Sequence, residues 1–193
     1  MKKKFVGLEF ENEWLAAIGK PQLTGAWLIW GPPSNGKTTF ALQLAKYITS
    51  FNYRVAYDSL EEGASLSMRQ ACIRCDMAAV AGKMILLDKE PIPELKQRLI
   101  KRKSPDVIII DSVQYTGMNY AAYKDLVDSF RTKLFIFISH ADGKLPEGRV
   151  AKSIRYDAFV KIWVENFTAY AEGRYGGGNS YMIWPDKSNI PQQ

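Results

Sequence analysis

The sequence predicts an α/β fold built on a central, mostly parallel sheet flanked by helices, and three observations carry that prediction. Strand-length and helix-period segments alternate along most of the chain. Several strands are unbroken apolar runs, notably Val107 to Ile110 and Leu134 to Ile138, as burial on both faces of a parallel sheet demands. The last two strands are joined through Gly173 and the Gly176 to Gly178 triplet with no helix between, which predicts a C-terminal antiparallel hairpin.

Taken in order, Ala26–Trp30 is an apolar strand running into a glycine-rich turn, and the amphipathic pattern of Thr38–Phe51 makes the helix that follows. Arg54–Tyr57 and Met84–Leu87 read as strands on either side of a helix at Ala64–Met77. Pro93–Lys101 is a helix that leads to the strand Val107–Asp111, and the helix Tyr120–Phe130 leads to the strand Leu134–Ser139. Val160–Glu165 and Tyr181–Trp184 form the terminal pair. With 193 residues, 47% of them hydrophobic, and no linker or repeat, residues 1–193 are expected to form one domain.

Composition narrows the function classes. No apolar run approaches the roughly 20 residues of a membrane span, and Lys2, Lys3 and Lys4 are not followed by the apolar stretch of an export signal, so a cytoplasmic protein with no membrane partner is expected. Cys72 and Cys75 stand at CxxC spacing, but with one histidine in the chain they cannot complete a four-ligand zinc site; two partly buried thiols in a reducing compartment are expected. The net charge of +6 suits a phosphate-bearing partner without requiring one. The densest basic cluster, Lys96 to Lys103, falls at the end of a helix, where cations complement the dipole.

Chemistry is most legible in Gly31-Pro32-Pro33-Ser34-Asn35-Gly36-Lys37-Thr38, which fits the phosphate-loop pattern GxxxxGK[ST] between a strand and a helix. Its glycines let successive backbone N–H groups turn toward phosphate oxygens, and the helix N-terminus adds its positive end. Lys37 would reach the β- and γ-phosphates, and the Thr38 hydroxyl would ligate Mg²⁺. Hydrolysis also needs carboxylates. Asp111 ends a four-residue apolar run and so arrives at the carboxyl edge of the sheet, where it would hold Mg²⁺ through water. Glu61 and Glu62 follow the strand Arg54–Tyr57, and one of them could orient the attacking water; the spacing alone leaves both open, as well as a purely helix-capping role.

Gly31 to Thr39, Val55 to Glu62, Asp106 to Gln114 and Ile138-Ser139-His140 together resemble the RecA-like P-loop ATPase core, closest to RadA-type recombination ATPases and DnaB-type helicases. The likeness spans about residues 20 to 186. It implies ATP and Mg²⁺ as ligands, with Thr39 in the phosphate site, Glu61 as catalytic base and Glu62 as its fallback. It also implies His140 as the γ-phosphate sensor, and Arg174 in Gly173-Arg174-Tyr175-Gly176 as an arginine finger acting on a neighbouring subunit. Glu172 departs from the lysine of the family's Lys-Asn-Arg-Phe-Gly motif. Single-stranded DNA and a homo-oligomer, ring or filament, are the implied partners. DNA contacts would come from Tyr115 to Tyr120 and from Ala141 to Arg155, the latter expected as a mobile basic loop with Lys144, Arg149, Lys152 and Arg155. The flanking zinc-finger, protease-like and primase-binding modules of those relatives are not expected in this chain. A thymidine-kinase-type phosphotransferase and a nucleotide-gated binding protein remain the alternatives. Ser112 stands where the kinase motif has its second acidic residue.

Overall fold

The computed structural model describes residues 7–185, so Lys2, Lys3 and Lys4 lie outside the described residues. The strands are β1 (Gly25–Gly31), β2 (Val55–Ser59), β3 (Met84–Asp88), β4 (Val107–Asp111), β5 (Leu134–Asp142), β6 (Leu145–Pro146), β7 (Val160–Glu165), β8 (Thr168–Gly173) and β9 (Ser180–Met182). The helices are α1 (Asn12–Ile18), α2 (Lys37–Ser50), α3 (Leu66–Arg74), α4 (Ile92–Ile100), α5 (Tyr120–Ser129) and α6 (Arg149–Asp157). The sheet runs β3-β2-β4-β5-β1-β7-β8-β9, with β6 paired to β5. From β3 to β7 all neighbours are parallel, while β8 and β9 add antiparallel. The α/β class and the parallel centre agree with the sequence prediction.

Alternation along each central strand divides the core in two. Trp27, Ile29, Tyr57, Ile109, Ile136 and Ile138 pack into the layer that holds α1, α2 and α3. Leu28, Trp30, Ile108, Ile110, Phe135 and Phe137 pack into the layer of α4, α5 and α6. Each buried aliphatic side chain contributes about 1.5–3 kcal/mol relative to exposure, which is why the unbroken apolar runs fall in the middle of the sheet.

The expected C-terminal antiparallel hairpin is present, and it contains one strand more than the sequence showed. β7 turns back directly into β8 through Asn166 and Phe167, whose φ values of 51° and 55° are those of a two-residue turn with left-handed central residues; Glu165 faces Thr168 across it. The glycine triplet then crosses the end of α1. A Cβ on Gly177 would lie 2.5 Å from the Ala17 carbonyl oxygen, and the Gly178 N–H donates to that same oxygen at 3.1 Å. Helix α1, which the sequence did not announce, is held through its own Trp14, stacked on Tyr47 and Tyr181 with centroid separations of 5.2 and 4.2 Å.

One expectation is corrected. Ala141 to Arg155 is not a basic loop: β5 extends to Asp142, β6 pairs back on it, and α6 begins at Arg149. Val150, Ala151 and Ile154 give α6 an apolar stripe that packs into the second core. The basic residues are engaged in the fold, with Lys144 2.8 Å from Glu165, Lys152 3.9 Å from Asp142 and the Arg155 guanidinium 5.3 Å above Trp30. Lys96 to Lys103 does close a helix, as expected. Arg98 is pinned to Glu90 at 2.6 and 2.8 Å, and Lys96 pairs with Asp125.

Asp58 is the exception in the apolar sheet. It is fully buried on β2, its Oδ1 accepts from the Glu90 N–H at 3.0 Å, and its Oδ2 has no partner. Burial lifts its pKa from 3.8 to about 6; the hydrogen bond from the Glu90 N–H and the Arg98 charge oppose the rise, while the Glu90 and Asp88 charges add to it. Because the folded chain binds this proton more tightly than the unfolded chain, the group costs stability once ionised. That cost is absent below pH 3.8 and complete above about 6. Asp58→Asn should therefore flatten the fall in stability between those pH values and leave the variant on the order of 1 kcal/mol more stable than wild type at pH 8. Urea midpoints at pH 4, 6 and 8 check this.

Candidate nucleotide site

The site begins with the register of the parallel strands, which brings Gly31, Ser59, Asp111 and His140 to one edge of the sheet. At Gly31 the chain passes so close to β7 that a Cβ would lie 2.0 Å from the Val164 carbonyl oxygen, so only glycine fits. Ser34 and Gly36 take φ values of 61° and 100°, curling the loop before α2 starts at Lys37. Asn35 fastens it. Its Nδ2 donates to the Pro33 carbonyl at 2.8 Å and its Oδ1 accepts from the Asn166 N–H at 2.7 Å, while the Phe167 N–H donates to the Asn35 carbonyl at 3.1 Å.

A cavity of about 450 Å³ opens over this loop, lined by Lys37, Thr38, Glu61, Glu62, Asp111 and His140 among others. The Lys37 ammonium donates to the Gly31 and Pro32 carbonyls at 2.9 and 2.7 Å. Burial lowers its pKa, with Asp111 and Glu61 opposing that shift. Asp111 is buried, and its Oδ2 accepts from the Tyr57 hydroxyl at 2.5 Å, with the Thr38 hydroxyl 3.5 Å from the same oxygen. Burial raises the Asp111 pKa to about 6; the Tyr57 hydrogen bond pulls it down and the Glu61 charge pushes it up. The Asp111 carbonyl accepts from the N–H groups of both Leu60 and Glu61, at 2.7 and 3.1 Å, tying the exit of β2 to the end of β4.

The two candidate bases have different surroundings. Glu61 Oε2 lies 2.9 Å from His140 Nε2, and His140 Nδ1 lies 3.3 Å from Glu147 Oε2. Glu62 instead accepts from the hydroxyls of Ser65 and Ser67 at the start of α3. His140 stands within β5 rather than at its end, because the strand continues to Asp142. Gln114 braces it from below, donating to Ser139 Oγ and the Glu147 carbonyl at 2.9 Å each.

Thr38 and Asp111 offer hard oxygen donors of the kind Mg²⁺ takes. Among the described residues no group of three or more His, Cys, Asp or Glu is placed to hold a metal ion.

Arg174 is not brought to this cavity. It follows Gly173, which pairs with Val160 at the amino end of β7, and its guanidinium lies 5.1 Å from the centre of the Phe159 ring, at the opposite edge of the sheet from the phosphate loop. Sequence reasoning missed Tyr57, read there as a strand residue, and Arg74, Phe167 and Trp184, which also line the cavity. It had no signal for them beyond their aromatic or basic character. Cys72 and Cys75 pack against the first core, where burial pushes both thiols up. No helix among the described residues is long and apolar enough to cross a membrane.

No protein-family profile matches the chain. It is 34% identical over 87 residues to the DNA repair protein RadA of Listeria monocytogenes, covering 45% of this chain and 18% of that one. It is 32% identical over 118 residues to RadA of Chlamydia pneumoniae, covering 55% of this chain and 25% of that one. It is 30% identical over 91 residues to the DNA repair and recombination protein RadB of Methanosphaera stadtmanae, covering 44% and 39%. The chain thus spans between about a fifth and two fifths of the length of these curated relatives. Among solved structures, the flagellar accessory protein FlaH from Methanocaldococcus jannaschii superposes with a TM-score of 0.63 at 19% identity, over 92% of this chain and 94% of FlaH. The sheet, the phosphate loop after β1 and these partial similarities give the chain a RecA-like P-loop fold and support a RecA-like ATPase core.

Proposed function

We propose that the chain is a Mg²⁺-dependent ATP hydrolase that works as a homo-oligomer on single-stranded DNA. The observation that carries this reading is the convergence of Lys37, Thr38, Asp111 and Glu61 on one cavity. The loop N–H groups and Lys37 bind the triphosphate. Mg²⁺, held by Thr38 and by Asp111 through water, would draw negative charge from the β- and γ-phosphate oxygens. Glu61, lacking the serine hydroxyls that occupy Glu62, accepts the proton of the attacking water. His140 holds Glu61 at 2.9 Å; a γ-phosphate oxygen competes for the same imidazole, so its arrival frees the carboxylate to face water.

The partner reading draws on the RadA and RadB similarities and on the surface beside the sensor strand. Tyr115 and Tyr120 are 54% and 47% exposed, and flat aromatic side chains of this kind stack on unpaired bases. Arg174, placed away from its own cavity, could reach a nucleotide only in another copy, in an oligomer that sets the amino edge of one sheet against the phosphate loop of the next.

Phosphate release from ATP should rise when single-stranded DNA is added, while a nucleoside panel yields no phosphorylated product. Hydrolysis indifferent to DNA would remove the DNA partner, and nucleoside phosphorylation would make the chain a kinase. Lys37→Ala should abolish ATP binding in calorimetry, and retained micromolar affinity would defeat the phosphate-loop assignment. Glu61→Gln should bind ATP normally yet turn over about 10²- to 10⁴-fold more slowly; a wild-type rate would show that Glu61 is not the base.

A further inference from the structure

Beyond Thr39 the nucleotide cavity continues into a second, smaller one of about 270 Å³, lined by Thr39, Gln43, Arg74, Cys75, Ile183 and Trp184. Thr39, Arg74 and Trp184 line both cavities. The direction is set by α2: Lys37 lies at its first residue, Thr39 two residues on, and Gln43 one further turn along the same face. A triphosphate whose outer phosphates meet Lys37 therefore points its sugar and base past Thr39 toward Gln43.

Two features of this cavity belong to recognition rather than to packing. The Arg74 guanidinium lies 5.8 Å from the centre of the Trp184 ring, giving two flat, polarisable faces on the cavity wall. Gln43 is held in one orientation, because its Nε2 donates to the Ile183 carbonyl at 3.1 Å, and a carbonyl can only accept. Its Oε1 is therefore fixed as an acceptor, and it is buried with no hydrogen-bond partner. A buried, unpaired acceptor is costly, and it matches a ligand that brings a donor.

Resting on the nucleotide reading above, we propose that this cavity is the base-recognition site: the base enters between Arg74 and Trp184, and Gln43 Oε1 accepts a hydrogen bond from the exocyclic amino group of adenine. Entry separates the Arg74 and Trp184 faces and uncovers the Gln43 oxygen. Guanine presents a carbonyl oxygen at the position of that amino group, so two lone pairs meet and the base is rejected. The phosphate loop alone does not discriminate among bases; Gln43 does.

The test is calorimetric binding, with Mg²⁺ present, of ATP, GTP, purine riboside triphosphate (which has hydrogen in place of the amino group) and inorganic tripolyphosphate. Wild-type protein should bind ATP on the order of tenfold more tightly than GTP. Purine riboside triphosphate, which needs no variant, should be weaker than ATP by about fivefold to tenfold. Gln43→Leu should weaken ATP by a similar factor, relieve the lone-pair repulsion of GTP and erase the preference. Trp184→Ala should weaken ATP while tripolyphosphate binding holds. Equal binding of ATP, GTP and purine riboside triphosphate to wild-type protein overturns the proposal and leaves the nucleotide reading standing. Failure of all four probes to bind overturns both.

Discussion

The carbonyl oxygen of Asp111 is the point on which the site depends. It accepts two backbone hydrogen bonds, from Leu60 and Glu61, and so fixes where β2 leaves the sheet relative to where β4 ends. Without those bonds the parallel register would still carry Asp111 to the carboxyl edge, but the backbone at Glu61 would lose its tie to it. The fold thus brings two carboxylates in different surroundings to one cavity. Asp111 is buried beneath the Tyr57 hydroxyl, and Glu61 projects into the open cavity toward His140. Strand register positions the first and a loop hydrogen bond positions the second.

The charges gathered there are unbalanced by themselves. Asp111, Glu61 and Glu62 line one cavity with two cations, the Lys37 ammonium and the Arg74 guanidinium, and Lys37 is partly desolvated. Burial and the neighbouring glutamates lift the Asp111 pKa to about 6, which is the expected response of a carboxylate short of positive charge. A divalent cation reverses that balance, whereas another anion alone would aggravate it. On the function proposed above, a metal–triphosphate pair would meet this charge better than a free phosphate ester. Tyr57 contributes by donating to the carboxylate without adding charge, and its ring fills the first core at the same time.

Legibility in the sequence followed how many residues each feature needed. The central strands were readable because burial on both faces demands unbroken apolar runs, and β4 fell on the predicted Val107–Asp111. The phosphate loop was readable because its constraints, close approach at Gly31 and positive φ at Gly36, lie within eight consecutive residues. Helix α6 was missed because basic residues dominate it and its buried side comes down to Ala151 and Ile154. Strand β8 was missed because its inward positions are Ala169 and Ala171, too small to register as an apolar alternation. At the site, the carboxylates announced themselves by position, but Tyr57 and Gln43 did not: one read as a strand aromatic and the other as a helix residue. Their roles arise only when residues far apart in the chain, Asp111 and Ile183, are brought against them.

The antiparallel meander gives this core a second path to its phosphate loop, independent of the parallel strands. Asn35 is bound on both sides by the turn between β7 and β8, and the β7–β8 ladder runs without a break from that turn to Val160 and Gly173 at the other edge. Beyond it, Tyr175 and the glycine triplet lie against the end of α1, where the Lys20 N–H donates to the Tyr175 carbonyl at 3.1 Å. A continuous ladder resists shear along its length, because sliding one strand against the other breaks its hydrogen bonds together. A load applied at the Arg174 end is therefore transmitted to Asn166 and Phe167, and from them to Asn35.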